Sequence, residues 1–431
     1  MSEAALYTRL TGADETPEIA EVRNGLRHVV AQSLNKLADG LIDPKLVLSW
    51  LLGAMGAPGV LIGALVPVRE AGALLPQLAL SRVLARRPGR KRFWATGAAL
   101  QGVAALSIGA AALSLTGAAG GLAVLAALAV LSVARAGCSL SHKDAVAENV
   151  PKTRRGAVTG AGTSLAAAAV FLFGAGLATG ILPLTVATIA GAAALAGIAW
   201  ILAAGVFMTL DETARETSPP EGERLGALFK PLREDAALRR FVAVRACLAV
   251  TALAPPFLVM LAGGQGAGGG ADAGAQALAS LGPLVLASAA ASIVTGYLWG
   301  RIADRSSRRA LMASGGLAAL VLGVAAMLGA MTGGLGGIAG AVATMFMAQL
   351  AYGGVRQARK LHLTDMTTRE TRAGHTALAN TVIGVALLAG GLLGLLADFA
   401  GPAAALALSS ALAVLGAVLA YGLDEVQGRD A

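Results

Sequence analysis

Runs of about twenty apolar residues follow one another along the chain, separated by short polar connections. At 1.5 Å per helical residue, a run of that length crosses the hydrocarbon layer of a bilayer. The pattern predicts twelve spans, near 28–52, 59–82, 94–115, 119–141, 157–179, 184–209, 238–262, 277–299, 310–331, 335–357, 374–398 and 402–422. The connections between them fall into two kinds. Those at 81–93, 142–156, 210–240, 300–309 and 356–372 carry lysines and arginines, whereas those near 53–58, 116–118, 180–183, 263–276, 332–334 and 399–401 carry none. Basic and empty connections alternate, and loops rich in Lys and Arg are retained in the cytoplasm. Both termini are therefore expected on the cytoplasmic side.

Composition agrees with this reading. Hydrophobic residues make up 56% of the chain and charged residues 14%, against about 25% charged in soluble proteins. The N-terminal stretch carries Asp14, Glu15, Glu18 and Glu21 and has no cleavable apolar core, so it does not read as a signal peptide. The net charge of +9 sits in the orienting loops and points to topology, not to nucleic acid. Cys138 and Cys247 lie singly in apolar segments, which suggests neither a disulfide framework nor a metal site. Small residues are abundant; they suit closely packed, sliding helices, and a G/C-rich coding sequence would give the same bias. No catalytic constellation and no phosphate-cradling glycine loop occurs, so neither an enzyme, direct ATP use nor a bound cofactor is expected.

The connection "DETARETSPPEGERLGALFKPLREDAALRR" at 211–240 is the longest and most polar. It divides the spans six and six. The expected organisation is a cytoplasmic tail at 1–27, a six-helix bundle at 28–209, a linker at 210–237, a second six-helix bundle at 238–422 and a tail at 423–431. The halves look like copies. Sliding "SLSHKDAVAENVPKTRRGAVTG" (139–160) by 217 positions onto "RQARKLHLTDMTTRETRAGHTA" (356–377) pairs Lys143 with Lys360, Glu148 with Asp365, Arg155 with Arg372 and Thr159 with Thr376. Parallel repeats of this kind are related by an axis along the membrane normal and enclose a site near the midplane.

The stretch Gly300-x-x-x-Asp304-Arg305-x-x-Arg308-Arg309 resembles the loop signature between the second and third spans of each half in the major facilitator superfamily. "ENVPKTRRGAVTG" resembles that superfamily's loop between spans four and five. Departures exist: Ser307 stands where a glycine is usual, and in the first half Ser81 and Ala85 replace the glycine and the acid. The proline-containing span-five pattern of drug–proton antiporters and the sugar-porter signatures are missing. The resemblance implies an all-α integral membrane protein with twelve transmembrane helices in two pseudo-symmetric bundles. It also implies a cytoplasmic gate at Asp304, Arg305 and Arg308. A basic loop that only sets topology is the other reading of those residues.

Ionisable residues inside spans cost at least about 2.5–3.5 kcal/mol each near the centre and mark function by default. Span one places Gln32, Lys36, Asp39 and Asp43 on one helical face, with Asn35 beside them. Arg69 and Glu70 lie near the middle of span two, Arg135 in span four and Arg245 in span seven. Gln349, Tyr352 and Arg356 lie in span ten. The resemblance implies that spans one, four, seven and ten line a central cavity. Asn35, Lys36, Arg69, Arg135, Arg245, Gln349, Tyr352 and Arg356 are then the expected substrate contacts, and their surplus of bases favours a carboxylate or phosphate. Asp39 and Glu70 are the expected proton-coupling carboxyls. Mutual neutralisation within Lys36–Asp39 and Arg69–Glu70 is the other reading, and Asp43, just before Pro44, is equally a helix-end residue. His142, Lys143, Arg359 and Lys360 form a second tier at the inner mouth.

The expected protein is a secondary active transporter in a bacterial inner membrane. It moves a small organic, possibly anionic, solute by alternating access, with proton-coupled export ahead of proton-coupled uptake. It is expected to act as a monomer with the solute, protons and the lipid bilayer as its partners. A non-transporting receptor or assembly factor on the same scaffold is the alternative from another class.

Overall fold

The structure is a computed structural model that describes residues 2–11, 18–85, 89–151, 154–212, 230–263, 271–367 and 372–426. Residues 213–229 of the 210–237 linker and 264–270 of the glycine-rich 263–276 connection lie outside the described residues. Every described element is a helix, as continuous apolar sequence in a membrane requires, because each backbone polar group must be satisfied within its own segment. Ten helical segments are long and apolar enough to cross a membrane.

In the first half a short helix α1 (Glu3–Thr11) is followed by α2 (Ile19–Leu41) and α3 (Val47–Ala54), then α4 (Gly59–Leu74) and α5 (Gln77–Ala85). Four long helices complete it: α6 (Lys91–Ser114), α7 (Gly117–Asn149), α8 (Arg155–Ala178) and α9 (Val186–Met208). The second half opens on α10 (Lys230–Glu234), α11 (Ala236–Leu248), α12 (Val250–Leu253) and α13 (Pro255–Ala262). It continues through α14 (Ala271–Arg305), α15 (Ser307–Thr332) and α16 (Gly337–Asp365), then α17 (Arg372–Gly390), α18 (Leu392–Ala400) and α19 (Pro402–Tyr421). The repeat is visible in the helix starts: α8 begins at Arg155 and α17 at Arg372, the pair brought together by the 217-residue shift.

Four of the expected continuous spans are broken, each where the chain loses a hydrogen bond or gains freedom. Between α2 and α3, Pro44 lacks an N–H and disfavours helix at Asp43. The Asp43 carboxylate accepts the N–H groups of Lys45 at 2.9 Å and Leu46 at 3.1 Å, so it closes the turn that leads into α3. Of its two roles left open by the sequence, the helix-end one is what the geometry displays. Pro76 separates α4 from α5, Pro255-Pro256 open α13, and Gly390-Gly391 separate α17 from α18.

Small residues set the helix–helix distances. A Cβ on Gly102 of α6 would lie 2.7 Å from the Gly197 carbonyl of α9, and one on Gly63 of α4 would lie 2.6 Å from the Gly394 Cα of α18. The second contact joins the two halves. They also meet where Gly282 of α14 abuts Ala178 of α8, and where the Val60 N–H donates to Asp398 at 2.7 Å. These three junctions lie toward the ends remote from the basic connections. On the basic side, α1 is pinned by buried Tyr7, whose hydroxyl donates to Glu21 at 2.8 Å; Arg154 pairs with the same carboxylate at 2.7 Å. Burial and the Glu21 carboxylate push the Tyr7 phenol above its usual range.

Candidate functional site

Two groups of charges meet at the middle of the bundle, and adjacent residues of α4 divide them. Arg69 faces the first half. Its guanidinium bonds Asp39 of α2 at 2.7 Å, and Arg135 of α7 pairs with the same carboxylate oxygen. Lys36, one turn before Asp39, stands 3.9 Å from the other oxygen. Three bases thus surround one carboxylate. The side chains of Asp39 and Arg69 are 15% and 12% exposed, whereas Lys36 is 39% exposed, so the cluster is dry on one side and wet on the other. Arg69 Nη1 is buried and has no hydrogen-bond partner among the described residues.

Glu70 faces the second half. It lines a small cavity of about 50 Å³ with Arg245 of α11 and Tyr352, Arg356 and Arg359 of α16. On α16 the residues Gln349, Tyr352, Arg356 and Arg359 recur at intervals of three and four and therefore share a helical stripe. Arg245 is 7% exposed. It donates to the Asn380 side-chain oxygen at 2.8 Å, and its Nε finds no partner among the described residues. Lys45, just past the α2–α3 break, places its ammonium 3.5 Å from the Tyr352 ring centroid, and the Arg356 guanidinium lies 6.0 Å from it. Ammonium over a ring face is an attractive contact that strengthens on desolvation.

Of the residues singled out from sequence, Lys36, Asp39, Arg69 and Arg135 come together as one cluster, and Glu70, Arg245, Tyr352 and Arg356 as its neighbour. The remaining ones lie elsewhere. Asn35 turns into the first bundle, accepting the Trp200 indole N–H at 2.9 Å and donating to Gln32 at 3.4 Å. Gln349 is buried on α16 and is not among the residues that line the small cavity. Asp304 and Arg305 end α14 in solvent-exposed positions. The α15 cap is Ser306, whose hydroxyl accepts from the Arg309 N–H at 3.1 Å and bonds Glu425 at 2.7 Å. Arg308 pairs with Glu425 at 3.5 Å, a partner from the same half. The side chain of Lys143 lies outside the described residues.

Sequence reasoning overlooked Lys45 and Asn380. Both were accessible to the rule that polar residues inside apolar runs mark function. Lys45 was concealed by standing beside Pro44 at the apparent end of a face, and Asn380 by being uncharged. Asp398, which joins the halves, was concealed by its place at the outer end of its run. Among the described residues no group of three or more His, Cys, Asp or Glu side chains could hold a metal ion.

Parallel-repeat helical halves meeting around buried charge define a multi-pass membrane transporter. A sequence profile of the Major Facilitator Superfamily matches residues 29–357; the chain belongs to that superfamily. Searched by sequence, no curated protein matches it. Among solved structures it is similar to a POT family transporter in complex with a thioalcohol-conjugated peptide, with a TM-score of 0.68 at 10% identity over 92% of this chain and 95% of that one. The nucleoside transporter NupG superposes with a TM-score of 0.63 at 13% identity, covering 92% and 97%. The xylose transporter XylE from E. coli, in an inward open conformation, gives 0.65 at 12%, covering 94% and 97%. At such identities the likeness establishes the fold alone.

Proposed function

We propose that the protein is a proton-coupled secondary transporter of a small organic anion, working by alternating access. The observation that carries the reading is the excess of bases over acids at the junction of the halves. Asp39 is shared by Lys36, Arg69 and Arg135, while Arg245, Arg356 and Arg359 line one cavity with Glu70 and Lys45 stands over the Tyr352 ring in the same lining. Buried guanidinium donors left over on Arg69 and Arg245 suit a carboxylate or phosphate, which accepts two parallel N–H bonds from a guanidinium. Asp39 already occupies the acceptor role that the solute would take. Solute and carboxylate therefore compete for the same guanidinium groups, and a proton on Asp39 would release Arg69 and Arg135 to the solute. Glu70 plays the matching part toward Lys45 and the second half.

A cavity of about 50 Å³ holds a few waters, whereas organic-ligand sites run from about 300 Å³. Loading thus requires the halves to part, which the alternating-access reading demands in any case. We further propose twelve crossings, the two beyond the ten apolar segments being α2 with α3 and α4 with α5, whose buried charges lower their apolarity. The alternating basic loops support cytoplasmic termini, and we carry forward a monomer in a bacterial inner membrane, with export as the expected direction.

The test is flux into and out of proteoliposomes under an imposed pH gradient, with anionic, neutral and cationic solutes. Anion flux driven by the gradient, with coupling lost in Asp39→Asn or Glu70→Gln, is the expected result. Preference for cations would overturn the substrate class. Gradient-driven flux untouched by both changes would overturn the coupling assignment, and absence of any flux would favour the non-transporting alternative.

A further inference from the structure

A second and larger concavity lies away from the central site, on the flank formed by α5, α6 and α7. It is a groove of about 950 Å³, at the upper end of the range for small-molecule sites. Its floor is made of small residues. Gly97 lies against Cys138 and the Ala134 carbonyl, and Gly137 lies under the Phe93 ring, so a Cβ at either glycine would crowd its neighbour. Its walls include Leu100, Val130 and Val133, apolar side chains 47%, 53% and 45% exposed on two membrane-crossing helices. Exposed apolar surface at that depth faces lipid, so the groove is open to the bilayer and its walls suit an acyl chain.

One end of the groove is basic. Lys91 and Arg92 begin α6 beside Phe93, whereas Leu100 lies eight residues further along, about 12 Å deeper at 1.5 Å per residue. The acid in the lining, Glu212, turns one carboxylate oxygen to the start of α6: its Oε1 accepts the N–H of Lys91 at 2.9 Å and that of Arg90. The Lys91 ammonium donates to the Leu210 carbonyl at 3.0 Å. Arg92 is exposed, and its guanidinium has no acidic partner among the described residues. A guanidinium with no acidic partner among the described residues, above an apolar trough that runs into the hydrocarbon, matches the two ends of one amphiphile.

We propose that this groove is a binding site for an anionic phospholipid, with the phosphodiester at Arg92 and Lys91 and an acyl chain along Gly97, Ala134 and Gly137. Basic pockets between membrane helices bind anionic headgroups in this way. Charge complementarity selects the headgroup: a zwitterionic lipid brings its own cation to Arg92, and an anionic one does not. The lipid would occupy the leaflet that the basic connections face. The site is separate from the central cluster, and the proposal does not depend on which solute is carried.

The experiment is native mass spectrometry of the purified full-length protein with phosphatidylglycerol or phosphatidylcholine, paired with thermal unfolding in the same mixtures. Phosphatidylglycerol is expected to bind and to raise the unfolding temperature, and phosphatidylcholine to do so far less. Arg92→Glu is expected to weaken phosphatidylglycerol binding by about tenfold or more, since one interfacial base contributes about 1 kcal/mol and reversal adds repulsion. Ala134→Leu, which fills the trough and keeps the basic end, is expected to lose the lipid as well. Arg92 is solvent-exposed, so its variant keeps the test in force should Ala134→Leu fail to fold. Equal binding of the two lipids, an unchanged phosphatidylglycerol affinity in Arg92→Glu, or the same stabilisation by inorganic phosphate alone would each overturn the proposal.

Discussion

Replacing Asp39 by Asn keeps the side-chain shape and removes the carboxylate charge that Lys36, Arg69 and Arg135 share. Two unit charges about 4 Å apart interact by about 4 kcal/mol at an effective dielectric constant of about 20, so three gross attractions vanish at once. Water recovers much of this, because Lys36 and Arg135 are 39% and 27% exposed. Removing one partner of a buried ion pair costs about 3–5 kcal/mol, and the wet side of this cluster places the net loss near the lower figure. With an unfolding entropy of about 2.1 cal/mol/K per residue, a loss of about 3 kcal/mol over this chain lowers the melting temperature by about 3 °C. The assay is thermal unfolding in detergent at one fixed heating rate, since large proteins often unfold irreversibly. Adding Arg135→Gln to Asp39→Asn removes one stranded base, so the double variant should melt above the sum of the single losses, with a coupling of about 1 kcal/mol or more. Strict additivity, or an Asp39→Asn protein as stable as the parent, would show that the three bases do not depend on Asp39.

Other perturbations reach other parts of the molecule. Arg245→Gln should weaken anion binding by about 10–100-fold, the value of a charge-assisted hydrogen bond of about 1.5–3 kcal/mol, read as solute affinity; Arg245→Lys should restore only part of it, because the fork is lost. Gly394→Val drives a side chain into the α4 backbone, an overpacking of about 1–3 kcal/mol. It should increase labelling of an Ala57→Cys reporter by a membrane-impermeant maleimide. Asp43→Ala strands the N–H groups of Lys45 and Leu46 and should cost about 1 kcal/mol in thermal unfolding, with Asp43→Asn recovering most of it. The exposed Asp211 carboxyl is held below its usual range by its hydrogen bond with Arg23. The folded form therefore gains from ionised Asp211 above the ordinary aspartate value of about 3.9 and loses that gain only as pH falls below it. A spin-label distance between 23-proximal and 211-proximal sites should stay constant from neutral pH to that point.

Much of the architecture was legible because lipid imposes a coarse code: apolar length for crossings and lysine and arginine for the loops between them. Finer geometry was less accessible. The breaks at Pro44, Pro76 and Gly390-Gly391 interrupt segments that are each long enough to read as one continuous span. The pairing of charges was partly readable. Lys36 and Asp39 are three apart on one helix and were recognised as able to pair. Arg69 and Glu70 look like a pair in the sequence, yet neighbours on a helix do not face each other. Arg69 went to Asp39, thirty residues earlier, and Glu70 to a cavity built from α11, α16 and α17. Such partners are set by helix packing across the bundle, which a single sequence does not encode in any local spacing.

The side-by-side placement of Arg69 and Glu70 has a mechanical corollary. Successive side chains point about 100° apart around a helix axis, so Arg69 and Glu70 give α4 one charged arm toward each half. A modest roll about its own axis that loosens the grip on Asp39 must swing the adjoining carboxylate relative to Lys45 and Arg359. On the proposed alternating-access cycle, a stroke that released one arm would be felt at once by the other.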